Sequence, residues 1–215
     1  SRTATIVGTG WQAGTQLMGL LAVRPEIDTI RVFSPTPANV DFFCREWGGR
    51  FRQEFCATGS IAGAVKGADI VLCATSSIDS VFEAEYFEPG MHVGSIKPAE
   101  ISIDSLETAD RVGVHLGQGK PALVQADNLS VPDHAGGRGW EISDTFDFSS
   151  CVTLPDLISG SVGGRADNDE RTCFVNDLGL GLQFAVVAGV TLQLAESAGI
   201  GQVLPTELFT QTEHP

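Results

Sequence analysis

The run TATIVGTGWQAGTQL, residues 3 to 17, constrains the fold more than any other stretch of the chain. A short apolar segment, Ala4 to Val7, stops at Gly8, and apolar residues resume at helical spacing through Leu17, Leu20 and Leu21. Strand, glycine turn and helix follow one another without spare residues. Gly8, Gly10 and Ala13 make the pattern G-x-G-x-x-A: the first glycine permits a tight turn, the second lets backbone approach a diphosphate, and the small third residue lets the helix sit close to the sheet. The amides opening the helix then face the ligand, at the positive end of the helix dipole. Dinucleotide binding by Gly8, Thr9, Gly10, Trp11, Gln12 and Ala13 is the expectation, with a purely structural glycine turn as the alternative. Trp11 either covers the ligand or packs.

The following segments keep the alternation going. TIRVFS (29–34) predicts a strand, PANVDFFCREWG (37–48) a helix closed by glycine, FRQEFCA (51–57) a strand, residues 60–66 a helix, and ADIVLCATS (68–76) a fully apolar strand of the kind buried in parallel sheets. GMHVGSI and DRVGVHL predict two more strands around the helix IDSLETA, and CFVND another. The fold class is α/β: a doubly wound, mostly parallel Rossmann-type sheet with right-handed crossovers. Between residues 117 and 153 the periodicity fails. From about Leu178 to Ala198 a helix is predicted whose apolar residues, Leu178, Leu180, Leu182, Phe184, Val186, Val187, Val190, Leu192 and Leu194, cannot share one face. The expected division is residues 1–177 as the nucleotide domain and 178–215 as a helix and tail packing on a separate domain, with Leu208 and Phe209 packing the end.

Charge narrows the partners. Asp and Glu number 27 against 13 Lys and Arg, for a formal charge of −14, and no basic cluster occurs, which argues against nucleic acid and anionic membrane. The longest uncharged run carries glycines and glutamines, so a buried helix is expected rather than a membrane span. Cys44, Cys56, Cys73, Cys151 and Cys173 are scattered and odd in number, which fits neither a disulfide framework nor a zinc site and suits a reducing cytoplasm. Asp167, Asp169 and Glu170 have no metal-loop spacing, so no metal is expected. Arg165 nearby reads as an anion anchor or a solvated turn.

The end of the second strand bears on the cofactor. An NAD site usually places Asp or Glu there to hold the ribose 2′-hydroxyl, whereas this chain has Ser34, Pro35 and Thr36. Two hydroxyls and no carboxylate admit a 2′-phosphate, so NADP is expected ahead of NAD, unless Ser34 and Thr36 merely cap the next helix. Thr75 and Ser76, in CATSS, end the fourth strand at the carboxyl edge of the sheet, where they either line the cofactor cleft or cap a helix.

The segments IVGTGWQAGTQL, VKGADIVLCATSS, FEPGMHVGSI, AEISIDSLETADRV and GGRADNDERTCFVNDLGLGLQFAVVAGVTLQLAESAGIG together resemble the ornithine cyclodeaminase and mu-crystallin family. The resemblance implies a Rossmann domain, a separate substrate and dimerisation domain, and hydride exchange between a nicotinamide and an amino or imino acid carbon. Gly8, Gly10 and Gln12 match the phosphate loop, Thr75 and Ser76 the strand-end segment, and Asn176, Asp177 and Gly179 the segment near the nicotinamide. Glu100 matches the acidic residue after the fifth strand. The aspartate of the cyclodeaminases has no counterpart in GSIKPAE, where Lys97 is the available cation. Lys97 and Glu100 are therefore the catalytic candidates, with loop solvation as the alternative for Lys97; His92, His115 and His134 are further candidate proton carriers, with a structural or exposed role as the alternative for each.

Members of the family carry a long segment ahead of the glycine turn that forms most of the substrate domain, and this sequence opens at the turn. The expectation is a carboxyl-terminal piece of a longer polypeptide, completed by a second chain or amino-terminal segment, in a homodimer or higher oligomer acting on a small amino or imino acid. Two alternatives stand beside the oxidoreductase or cyclodeaminase reading. One is a binding protein of the same fold without turnover. The other is a self-processed hydrolase using Ser1, whose hydroxyl lies beside a free α-amine.

Overall fold

The computed structural model describes residues 1–77, 79–97, 100–115, 146–176, 181–205, 207 and 209, with Leu182 described by its backbone alone. The expectations for His134, Asp177, Leu178, Gly179, Leu180 and Leu208 lie outside the described residues. Two compact units divide the chain, Ser1–Leu178 and Gly179–Pro215.

The first unit runs β1 (Thr3–Val7), α1 (Trp11–Val23), β2 (Thr29–Phe33), α2 (Pro37–Gly48), β3 (Glu54–Ala57), α3 (Ile61–Val65), β4 (Ile70–Cys73), β5 (His92–Ser95), α4 (Ile103–Thr108), β6 (Arg111–Val114), β7 (Val152–Thr153), α5 (Leu154–Ser159) and β8 (Thr172–Val175). The strands form one sheet in the order β3-β2-β1-β4-β5-β8-β6-β7, and the paired strands run parallel. From β1 the chain builds outward through β2 and β3 on one side, then returns to place β4 and β5 on the other. The strand order therefore reverses between β1 and β4, and a crevice opens there at the carboxyl ends of the strands.

Both faces of the sheet are covered, so the central strands read as apolar runs rather than alternating ones. One core joins Ala4, Ile6, Ile30 and Val32 to Leu17, Leu20 and Leu21 of α1 and Val40 and Phe43 of α2. The opposite core joins Val7, Val71, Cys73 and Val93 to Val65 of α3 and Leu106 of α4. Each buried leucine or isoleucine contributes about 1.5–3 kcal/mol to this arrangement. Thr5 breaks the apolar pattern of β1 without leaving an unpaired group, because its hydroxyl donates to the Ala64 carbonyl at 2.6 Å. Gly14 has a close-packing reason: a Cβ there would lie 2.2 Å from the Trp47 ring.

Several boundaries differ from the sequence reading. The strand predicted from residue 51 begins only at Glu54, since Phe51 to Gln53 form a bend. The short strand β7, preceded by a single 3-10 turn at Phe148–Ser150, falls where periodicity gave no signal. CATSS caps no helix; β4 runs instead into a turn in which the Ser77 amide donates to Thr75 Oγ1.

The second unit contains α6 (Gly181–Ala198). Phe184, Val186, Val187, Val190, Leu192 and Leu194 on it are each more than half exposed. No helix among the described residues is long and apolar enough to cross a membrane.

Candidate functional site

The crevice between β1 and β4 widens into a cavity of about 710 Å³. Its lining takes Gly8, Thr9, Gly10, Trp11 and Gln12 from the turn after β1, Ser34, Pro35, Thr36 and Asn39 from the end of β2 and the start of α2, and Thr75, Ser76 and Ser77 from the end of β4. Val81 and Ile96 close the far side. Nine of the sequence-derived cofactor candidates are thus gathered at one cavity. Ala13 is fully buried beneath it in the helix-to-sheet contact, and Asn176, one residue past β8, donates from its side-chain amide to the Ile96 carbonyl at 3.4 Å without lining it.

The two turn glycines do different work. Gly8 has φ +111°, and a Cβ there would lie 2.1 Å from the Ala74 carbonyl oxygen, so the turn is pressed against the end of β4. Gly10 is the N-cap of α1, and a Cβ on it would meet nothing within 4 Å. That open space lies where the first amides of a thirteen-residue helix have no intrahelical acceptor, and no acidic side chain occupies its first turn. An anion is the group such a cradle accepts.

The β2 end keeps its hydroxyls available. Thr36 occupies the N-cap position of α2 but makes no side-chain capping bond, and neither its hydroxyl nor that of Ser34 has a partner among the described residues. Asn39, which sequence reasoning missed, adds an amide in the first turn of α2; its spacing of three from Thr36 was the available signal. Among the described residues no carboxylate lines this part of the cavity.

The catalytic candidates take other positions. The Lys97 ammonium turns back to donate to the Ser77 carbonyl, and Lys97 does not line the cavity. Glu100 is fully buried behind it; Oε1 accepts from the Thr75 amide at 2.6 Å and the Thr75 hydroxyl at 2.8 Å, and Oε2 accepts from the amides of Ile96 at 3.0 Å and Lys97 at 3.3 Å. His92 opens β5 at the amino edge of the sheet, where Nδ1 and Thr172 Oγ1 are 2.8 Å apart; burial first, then the Arg165 charge, pushes its pKa down to about 4. His115 is buried edge-on against Phe174. Cys73 ends β4, and burial, followed by the Glu100 charge, drives its thiol well up, so it stands as a neutral thiol.

Ser1 corrects an expectation. It precedes β1, while the cavity lies past the other end of that strand. At about 3.3 Å per residue the two are separated by roughly 20 Å, so the Ser1 hydroxyl is not a nucleophile for this cavity. Arg165 is likewise no anion anchor, because its guanidinium donates to the Gly90 carbonyl at 2.7 Å and to Thr172 Oγ1 at 3.0 Å. Among the described residues no three His, Cys, Asp or Glu side chains are grouped to hold a metal.

A parallel sheet whose order reverses over a glycine cradle defines the class of dinucleotide-binding α/β folds. Within that class the chain belongs to the ornithine cyclodeaminase/mu-crystallin family, whose model matches residues 1–197. A protein of Rhizobium meliloti (strain 1021), named as a dehydrogenase, is 31% identical over 217 residues, covering 94% of this chain and 59% of its own length. Among solved structures, the Δ1-pyrroline-2-carboxylate reductase of Thermococcus litoralis in complex with NADH and L-proline aligns with TM-score 0.78 and 24% identity over 95% of this chain and 61% of that one. An archaeal alanine dehydrogenase dimer with bound NAD aligns with TM-score 0.74 and 21% identity over 95% and 61%. The chain thus spans about three fifths of the length of these relatives, and at such identities the two structures establish the fold.

Proposed function

We propose that this chain is the dinucleotide-binding part of an NAD(P)-dependent oxidoreductase or cyclodeaminase acting on an amino or imino acid. One observation carries the proposal: at the reversal of strand order, Gly8 seats the turn against β4 while Gly10 leaves open space before the free amides of α1. Gly8 to Gln12 would hold the diphosphate, Ser34, Thr36 and Asn39 the adenosine ribose, and Thr75 and Ser76 the next part of the cleft. When bound, the nicotinamide supplies hydride transfer. The described residues contribute binding and orientation, since none of those lining the cavity is titratable. Proton transfer and recognition of the substrate carboxylate belong, in this reading, to a second chain or segment that also covers the exposed apolar residues of α6, in a dimer or higher oligomer. The five cysteines, all free thiols, suit a reducing, cytoplasmic setting.

The uncharged β2 end makes NADP the expected preference over NAD. Titration with NADPH and NADH, followed by energy transfer from tryptophan to the reduced nicotinamide, tests both fold and preference. Binding of NADPH at least as tight as NADH supports the assignment; binding of neither overturns it. The same uncharged lining favours a second reading, ligand binding without turnover. Reduced dinucleotide that binds but is never oxidised by any keto acid plus amine, even in the completed assembly, would select it.

A further inference from the structure

We infer that Glu100 is a positioning residue, a buried carboxylate that sets the shape of the dinucleotide cradle without touching the ligand. This rests on the dinucleotide reading above. A fully buried carboxylate is costly unless donors replace its lost water. Among the described residues Glu100 has no cation within ion-pair distance; its two oxygens are satisfied instead by three backbone amides and one hydroxyl, all from the ends of β4 and β5. The residue itself is anchored, because its carbonyl accepts from the amides of Val81 at 2.9 Å and Phe82 at 3.0 Å, and Phe82 is fully buried. A rigid base thus presents one carboxylate to two strand ends.

The consequence for the cradle follows from peptide geometry. In a planar trans peptide the N–H and the preceding C=O point in opposite directions. Holding the Thr75 amide on Oε1 therefore directs the Ala74 carbonyl away from Glu100. That carbonyl is the one the Gly8 turn is pressed against, at a distance that leaves no room for a Cβ. The Ala74 amide donates to Val7 at 2.8 Å, so both sides of residue 74 are tied, one to β1 and the other, through Thr75, to Glu100. The chain of influence runs from Glu100 to the peptide joining Ala74 and Thr75, and from there to Gly8 and the diphosphate amides. On the second oxygen, the Ile96 amide is shared between Glu100 and the Cys73 carbonyl at 3.1 Å, which fixes the opposite wall of the cavity. All four described partners of the carboxylate are donors, so an amide at this position would set an NH₂ against at least one N–H.

The test is Glu100→Gln in the intact chain, read by dinucleotide affinity and by hydrogen exchange of the ligand-free protein. The variant is expected to unfold cooperatively yet bind NADH and NADPH at least about tenfold more weakly, by the same factor for both, because the cradle rather than the ribose end is altered. Exchange should also quicken at residues 8–14, none of which bonds to Glu100. Affinity within twofold of the parent, or quickened exchange confined to residues 73–77 and 94–100, overturns the inference. If Glu100→Gln fails to fold, Thr75→Val removes one of the two bonds on Oε1. Quickened exchange at residues 8–14 in that variant supports the inference, and unchanged exchange there overturns it. A parent chain that binds neither dinucleotide removes the dinucleotide reading and this inference with it, whereas a parent that binds and a Glu100→Gln that binds equally removes the inference alone.

Discussion

The two edges of the sheet are built on opposite plans. At the amino edge, charged groups lock the strand starts. Burial acts to raise the Asp69 pKa, but the amides of Thr3 and Arg2 outweigh it and hold the carboxyl below its usual range. Arg165 bridges Gly90 and Thr172, Arg111 pairs with Glu170 at 3.7 Å, and His92 is half-buried, its pKa held low. At the carboxyl edge the described lining is mostly hydroxyls, small residues and backbone, and the Glu100 carboxylate is buried beneath the cleft. The difference teaches where a parallel sheet places its binding capacity. Side chains are spent on closure at one end, while the first amides of α1 and the hydroxyls of Ser34 and Thr36 stay unpaired among the described residues at the other.

Substitutions can break that contrast. The largest effect is expected at Gly8→Ala, which meets both an unfavourable φ and the Ala74 carbonyl. Stability should fall by about 3 kcal/mol or more, measured by chemical denaturation, and dinucleotide binding should disappear. Gly10→Ala separates the two roles, because its backbone conformation suits any residue and its Cβ enters open space. Stability should stay within about 1 kcal/mol, while affinity should fall at least about tenfold, equivalent to about 1.4 kcal/mol.

The amino edge should respond to acid instead. His92 is held near pKa 4, below its unfolded value of about 6.5, so the unfolded chain takes up the extra proton as pH drops. The contribution is complete above pH 6.5 and is lost as pH falls from there towards 4. It amounts to about 3 kcal/mol in full, of which about 2 kcal/mol is gone by pH 5. Denaturation curves at pH 7 and pH 5 measure it, and His92→Leu should flatten that difference while leaving dinucleotide affinity at pH 7 unchanged. The smallest effect is expected at Asp28→Ala. Its ion pair with Arg2 at 3.1 Å is exposed on both sides, so stability should shift by no more than about 0.5 kcal/mol.

Much of this was legible in the residues because the signals are local. The bounds of α1 and α2 follow from glycine, Pro37 and helical spacing, and Ser34 and Thr36 could be placed at the cavity because a strand end in a parallel sheet has a known edge. The four donors around Glu100 were not legible, because an acid in a polar loop looks the same on paper whether it faces a ligand or buried amides. His92 was equally ambiguous, since nothing in GMHVGSI distinguishes a catalytic histidine from one half-buried and bonded to Thr172. The insertion of β8 between β5 and β6 left no trace, because strand order depends on which hydrogen-bonding edge a returning strand meets.

By itself the sequence determined the alternation of strands and helices, the glycine turn, and the absence of a carboxylate at the end of β2. These are properties of neighbouring residues, set by φ freedom, propensity and periodicity. Tertiary structure alone decided that Gly8 is pressed against Ala74, that Ser1 and the cavity lie at opposite ends of β1, and that Glu100 faces inward to bind two strand ends. Those facts join residues far apart in the chain, and burial with hydrogen-bond satisfaction, which acts in space rather than along the sequence, selects them.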